Sequence, residues 1–258
     1  MVEDTTQKDW VMQKKIGLIC ALLPALCASS IALPVSLDGL KHPELSIGGG
    51  YSWFRASNGT LVAGPLETDS LQVNGASSSP LLKVGIGYHL VNDRLHFLND
   101  WRVELNFYHT TATIKGNAWE YGYSAFNNYT FSTPITSNRL MLDLKPNLFH
   151  WDKLYFYPIL GAGMAWNDTS YSETPNAGAS AVSASTLASN KNRSLAYDLG
   201  AGVHYALTSH LIASLEYLYN NFGTLSSSAT ATSGSPPLTG ANFLTYSQSA
   251  LAALTWKV

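Results

Sequence analysis

Charge is scarce in this chain. Only 12% of its 258 residues are Asp, Glu, Lys or Arg, about half the quarter usual in soluble domains. The 15 basic and 17 acidic residues leave a net charge of −2, without the basic excess of a nucleic-acid-binding protein. Scarce charge beside 46% hydrophobic residues also excludes a disordered chain. Long apolar runs are missing as well. The run Ile16 to Ala28 has roughly 13 residues, short of the ~20 that a spanning helix needs. A mean hydropathy of +0.01 is too low for a bundle of membrane helices, and no stretch after residue 32 has the period of a long amphipathic helix. Cysteine is nearly absent: Cys20 and Cys27 both fall inside the apolar run. The remainder therefore cannot depend on the disulfides that hold small secreted folds together. The histidines, at 42, 89, 96, 109, 150, 204 and 210, lack metal-ligand spacing, so neither metal nor cofactor is expected.

The apolar run has its own meaning. Lys14 and Lys15 precede it, and Ala28, Ser29, Ser30 and Ala32 follow. A basic start, a short apolar middle and a small-residue exit read as a secretory signal peptide over residues 1–32, cleaved between Ala28 and Ala32. Met12 makes a well-proportioned start for that signal, so residues 1–11 read as an upstream extension. A retained anchor would want a longer run. A lipid-modified Cys27 would want a small residue where bulky Leu26 stands. Residues 33–258 are then expected to form one exported domain.

What the chain has instead is aromatic residues, at 12%, and 20 glycines, arranged with period two in eight stretches. From Glu44 to Ala56, Leu45, Ile47, Gly49, Tyr51 and Trp53 alternate with small or polar residues. Leu82, Val84, Ile86, Tyr88 and Leu90 do so in Leu81–Val91, and Trp101, Val103, Leu105 and Phe107 in Trp101–Lys115. Leu140, Leu142 and Leu144 mark Pro134–Phe149; Phe156, Leu160, Ala162, Met164 and Trp166 mark Leu154–Tyr171. Leu195 to Tyr205, His210 to Gly223 and Phe243 to Val258 repeat the pattern. Strict alternation reads as half-buried strands, with successive side chains on opposite faces.

The polar face is rich in Gly, Ser and Ala and carries only isolated charges, whereas the apolar face is large and aromatic. A soluble sandwich or lipocalin-like barrel would hide the apolar face and carry dense charge outside. The opposite arrangement suits a transmembrane barrel, apolar toward lipid and polar toward the lumen. Four joints are long, about Ser57–Pro80, Gly116–Thr133, Ser172–Arg193 and Thr224–Asn242, and three are short, around Asn92–Asp100, His150–Lys153 and Leu207–Ser209. The expected fold is all-β: a closed, antiparallel, eight-stranded up-and-down transmembrane β-barrel with four long external loops and short periplasmic turns. Trp101, Tyr155 and Trp256 near short turns, and Trp53, Phe107, Trp166 and Tyr219 near long loops, are expected at the two membrane interfaces.

Several stretches carry a family resemblance. Tyr157 to Trp166, Leu195 to Tyr205 and Leu211 to Tyr219 resemble strands of small outer-membrane barrels of the opacity and OmpA-like transmembrane type. The end, Leu254-Thr255-Trp256-Lys257-Val258, resembles the terminal strand read by the barrel-assembly machinery, with Val258 where Phe is usual. The resemblance implies a bacterial outer-membrane protein in contact with membrane lipid and lipopolysaccharide. No peptidoglycan-binding segment follows Val258, so the expectation is a barrel without that domain.

An eight-stranded lumen is just wide enough for side chains to fill. Lys83, Arg102, Glu104, Asp143, Lys145, Asp198 and Glu216 share the inward parity and are expected to pair as a polar plug, since unmatched buried charge is costly. A narrow permeation path lined by the same groups, as in a small porin-like channel, is the alternative. A lipid-modifying enzyme is the weaker reading, because no Ser and carboxylate accompany outward-facing His109. The charge-free loops Asn176–Asn190 and Ser226–Thr239 read as solvated linkers. The second long loop differs: Trp119, Tyr121, Tyr123, Phe126, Tyr129 and Phe131 either extend the strands or form a contact patch. The partner of such a patch would be a host surface, another envelope protein or lipopolysaccharide.

Overall fold

The computed structural model describes residues 40–75, 77–91, 100–178, 184–234 and 236–258. The expected signal peptide, residues 1–32, lies outside the described residues, as do residues 92–99 of one short joint.

Twelve strands account for most of the described residues: β1 Leu40–Ala56, β2 Gly59–Gly64, β3 Glu67–Val73, β4 Ser78–Val91, β5 Asp100–Trp119, β6 Asn127–Pro146, β7 Phe149–Trp151, β8 Leu154–Pro175, β9 Thr186–Ala206, β10 Leu211–Ser226, β11 Ala231–Ser233 and β12 Asn242–Lys257. No α-helix occurs among the described residues. The long strands pair antiparallel with their chain neighbours, β1 with β4, β4 with β5, β5 with β6, β6 with β8, β8 with β9, β9 with β10 and β10 with β12. β12 also pairs with β1, from Glu44↔Lys257 to Ala56↔Thr245.

The expected period-two pattern is present, and on β5 and β6 the apolar side changes face partway along the strand. On β5, Arg102, Glu104, Asn106 and Tyr108 are buried while Leu105 and Phe107 are exposed. Further along the same strand the buried positions become Ala112, Ile114 and Ala118, and Thr111 and Lys115 are exposed. β6 repeats this in reverse. Its buried residues run Tyr129, Phe131, Ile135, then Arg139, Met141, Asp143 and Lys145, and Leu140, Leu142 and Leu144 are exposed only at the second end. β5 and β6 thus each have one segment with an apolar outside and a polar inside, joined to one with the opposite arrangement.

This inversion corrects the expected loops. β5 and β6 have 20 residues each, β8 has 22 and β9 has 21, against the ~9–11 that cross a bilayer. Much of Gly116–Thr133 and Ser172–Arg193 is therefore strand rather than loop. β2 and β3 form a hairpin inside Ser57–Pro80 that joins β5 through Leu71↔Ala118. β11 lies inside Thr224–Asn242 and pairs with β9, and β7 occupies part of the short joint before β8. The described strand count is accordingly twelve rather than eight, the four additions all being short. Within this distal extension, Leu61, Leu71, Ile114, Ala118, Tyr129, Phe131, Ile135, Tyr171, Leu187, Leu225, Ala241 and Phe243 pack into one apolar cluster. Burying them is what holds the extended strands together beyond the apolar band.

Candidate functional site

The inward residues of β5 order the interior. Nearest its start, Arg102 Nε lies 3.5 Å from Glu44 Oε2 of β1. Next, two lysines and two glutamates from four strands form a closed square. Lys83 Nζ is 3.1 Å from Glu104 Oε2 and 3.2 Å from Glu216 Oε2, and Lys145 Nζ is 2.7 Å from Glu104 Oε2 and 2.6 Å from Glu216 Oε1. The Tyr157 hydroxyl donates to Glu216 Oε1 at 3.1 Å. Asn106 bridges upward, donating to Glu104 at 3.1 Å and to Asp143 at 2.6 Å.

Above the square, the Tyr108 hydroxyl donates to Asp143 at 2.9 Å, and Arg139 donates to Asp198 at 2.6 Å and to Asn220 at 3.0 Å. The Arg139 guanidinium lies 4.9 Å from the Tyr108 ring centre and 4.7 Å from that of Phe222. Phe222 in turn stacks on Phe54 at 4.9 Å, so apolar rings close the polar column on the side of the distal cluster. Space for these long side chains comes from inward glycines. A Cβ on Gly85 would fall on Asn106 Oδ1, and one on Gly161 would fall on Asp143 Oδ1.

All seven charges expected inside are buried and share this column. Among the residues that complete it, Arg139, Glu44 and Asn220 were not among the expected interior groups. Arg139 carries the same signal as Asp143 and Lys145, being an even number of residues from both. His204 is inward too, stacked on Tyr155 at 4.7 Å and tilted against Tyr157 at 5.3 Å. That stacking corrects one assignment. Tyr155 belongs to the inward face, because β8 buries its odd positions, whereas Trp53, Trp101, Phe107, Trp166, Tyr219 and Trp256 project on the other face.

The second long joint is a short tip on two strands. Two single 3-10 turns, Glu120–Gly122 and Ser124–Phe126, connect β5 to β6. Tyr121, Tyr123 and Phe126 are exposed there, and Tyr121 meets Phe126 edge to face at 6.0 Å. Trp119 is half-buried at the end of β5. Tyr129 and Phe131 are buried in the distal cluster, so they extend the strands and are not contact residues.

The turn is anchored from below. Tyr121 sits at φ 55°, ψ 14°, in the left-handed region, and its N–H donates to Asp69 Oδ1 of β3 at 3.1 Å. Asn128 donates to Glu120. Burial, reinforced by Glu67, Glu173 and Glu120, pushes the Asp69 carboxyl up to about 7. Burial likewise raises Glu173, which accepts from the Tyr171 hydroxyl at 2.7 Å and the Ser185 N–H at 3.0 Å. Among the described residues no group of His, Cys, Asp and Glu could hold a metal ion.

Comparison with known proteins agrees with this architecture. The family model described as outer membrane protein beta-barrel domain matches residues 18–250. No curated protein matches in sequence. Among solved structures, the outer membrane protease OmpT from Escherichia coli is similar with a TM-score of 0.51 at 8% identity, over 85% of this chain and 97% of that one. Neisserial surface protein A gives 0.41 at 15% identity over 84% and 97%, and OprG from Pseudomonas aeruginosa gives 0.42 at 16% over 86% and 98%. At these identities the OmpT likeness speaks to fold alone.

Proposed function

The chain belongs to the outer membrane protein beta-barrel domain family and hence to the bacterial outer membrane, and from that premise we propose a surface-display barrel with a sealed lumen. Its eight long strands form the closed up-and-down barrel, a reading supported by the ladder that returns from β12 to β1. The exposed apolar rows meet lipid, and the six outward aromatics mark its two edges. Export depends on cleavage of the N-terminal signal, and insertion on recognition of the last strand, Leu254 to Val258, by the barrel-assembly machinery.

The observation that carries the sealed reading is the double filling of the interior. A charged column with Lys83, Glu104, Lys145 and Glu216 at its centre is followed by the apolar cluster around Phe131 and Phe243. A solute would have to part both. The exposed end then serves as a rigid pedestal for Tyr121, Tyr123 and Phe126, rings suited to anchoring a host surface or an envelope protein. Single-channel recording in planar bilayers tests the seal, with the expectation of no stable openings; large, lasting openings would refute it. Replacing Tyr121, Tyr123 and Phe126 with Ser should lower adhesion to host cells without changing the heat-dependent migration of the folded barrel.

A narrow hydrated path has one observation in its favour. Arg139 Nε and Nη2, Asp143 Oδ1 and Asp198 Oδ2 are buried without a protein partner. Small, cation-dependent conductance abolished by Arg139→Met would support that second reading. His109, the outward histidine a hydrolytic or acyl-transfer role would call on, is hydrogen-bonded to Asn138 at 2.8 Å rather than to a carboxylate or serine.

A further inference from the structure

The register locates the upper edge of the lipid-facing band residue by residue. Phe107, Leu140, Met164 and Leu195 lie side by side on the outward face of β5, β6, β8 and β9. One step toward the distal end, the row becomes His109, Asn138, Trp166 and Arg193, and one step further Thr111, Thr136, Asp168 and Lys191. The apolar surface therefore ends within a single pair-step, and Leu195, 83% exposed, is its last residue on β9.

Cations on the two sides of the wall differ in kind. Inside, Lys83, Arg102, Arg139 and Lys145 each have a carboxylate partner. Outside, Lys191 and Arg193 are exposed on one face of β9, and among the described residues neither lies within ion-pair distance of a carboxylate. Asp168 is directly across from Lys191 in the ladder, yet forms no ion pair with it. Two residues along a strand are about 7 Å apart, close enough for both cations to reach one headgroup.

We propose that this edge binds the phosphate-bearing headgroup of an anionic lipid in the outer leaflet. Arg193 offers a fork of donors matched to phosphate oxygens and Lys191 adds a second charge. Trp166, the cross-strand neighbour of Arg193, stands at headgroup level, and the row from Phe107 to Leu195 receives the upper acyl chain. Charge complementarity selects this occupant, since uncompensated cations bordering a lipid-facing surface are where anionic headgroups gather. The proposal rests on the outer-membrane reading and adds a place and a chemistry to it.

The test uses the folded full-length barrel in phosphatidylcholine nanodiscs, titrated with diphosphoryl lipid A and, in parallel, with the same lipid stripped of phosphate. Bound lipid is read by native mass spectrometry. Phosphate-dependent binding should weaken about fivefold in Arg193→Gln and further in Lys191→Gln/Arg193→Gln. Lys115→Gln, on the same face of β5 but further from the band, should bind as wild type. Equal binding by the double variant, with unheated electrophoretic migration still that of a folded barrel, would overturn the site. So would binding indifferent to phosphate removal, or displacement by inorganic phosphate at equal concentration. A protein that enters no lipid at all would overturn the outer-membrane reading, and this site with it.

Discussion

The two ends of a single strand obey opposite rules. Between Trp101 and Tyr108, β5 turns its apolar side chains out and its charges in; between His109 and Trp119 it does the reverse. β6 makes the same change between Leu140 and Asn138. No shift of pairing register separates the two halves, for the β5–β6 ladder runs unbroken from Trp101↔Pro146 to Ala118↔Tyr129. The backbone is indifferent to the change. The solvent outside decides which parity is apolar, so the inversion marks where lipid gives way to water.

The comparison breaks first at the interior charges. Lys145→Met leaves Glu104 and Glu216 sharing Lys83 alone, and should cost about 3–5 kcal/mol in urea unfolding of the detergent-refolded barrel. Adding Glu104→Gln should restore much of the loss. A single variant within about 1 kcal/mol of wild type would mean that the square is solvated like a surface pair. Next comes the outside. Leu142→Arg puts a charge in the middle of the apolar face and should destabilise by about 2–4 kcal/mol. Thr136→Arg, on the same face of the same strand, should change stability by less than about 0.5 kcal/mol. Equal costs at the two positions would erase the proposed boundary.

Parity explains how much was legible beforehand. Inside the lipid-level band a constant apolar face made Lys83, Arg102, Glu104, Asp143, Lys145, Asp198 and Glu216 readable as inward. Arg139 and Glu44 obey the same rule and were overlooked, Arg139 because the large apolar residue just before it, Ile135, shares its parity rather than that of Leu140 and so blurs the phase. The distal strands were hidden for a related physical reason. When Phe131 and Ile135 take the parity that Leu140 and Leu142 avoid, alternation seems to stop, and a stretch such as Gly116–Thr133 looks like a loop. Tyr155 was misassigned because closeness to a turn was weighed above parity, and the odd positions of β8 together with its stack on His204 place it inside.

The smallest expected effect separates the two regions by pH. The Asp69 carboxyl rises from 3.8 to about 7, so between those values the folded tip holds a proton that the unfolded chain has released. A native state that binds more protons loses stability as pH rises. The distal extension should therefore be firmest in acid and lose stability as pH rises from about 4 to about 7, as the buried Asp69 carboxyl is forced to ionise among its acidic neighbours. Hydrogen exchange at Tyr121 to Phe126 should be faster, relative to the intrinsic rate, at pH 8 than at pH 5. Amides of β5 between Arg102 and Tyr108 should serve as an unchanging reference. Asp69→Asn keeps an acceptor for the Tyr121 N–H and should flatten the dependence. Loosening at pH 5 instead would show that the hydrogen bond to an ionised Asp69, rather than the cost of burying its charge, governs the tip.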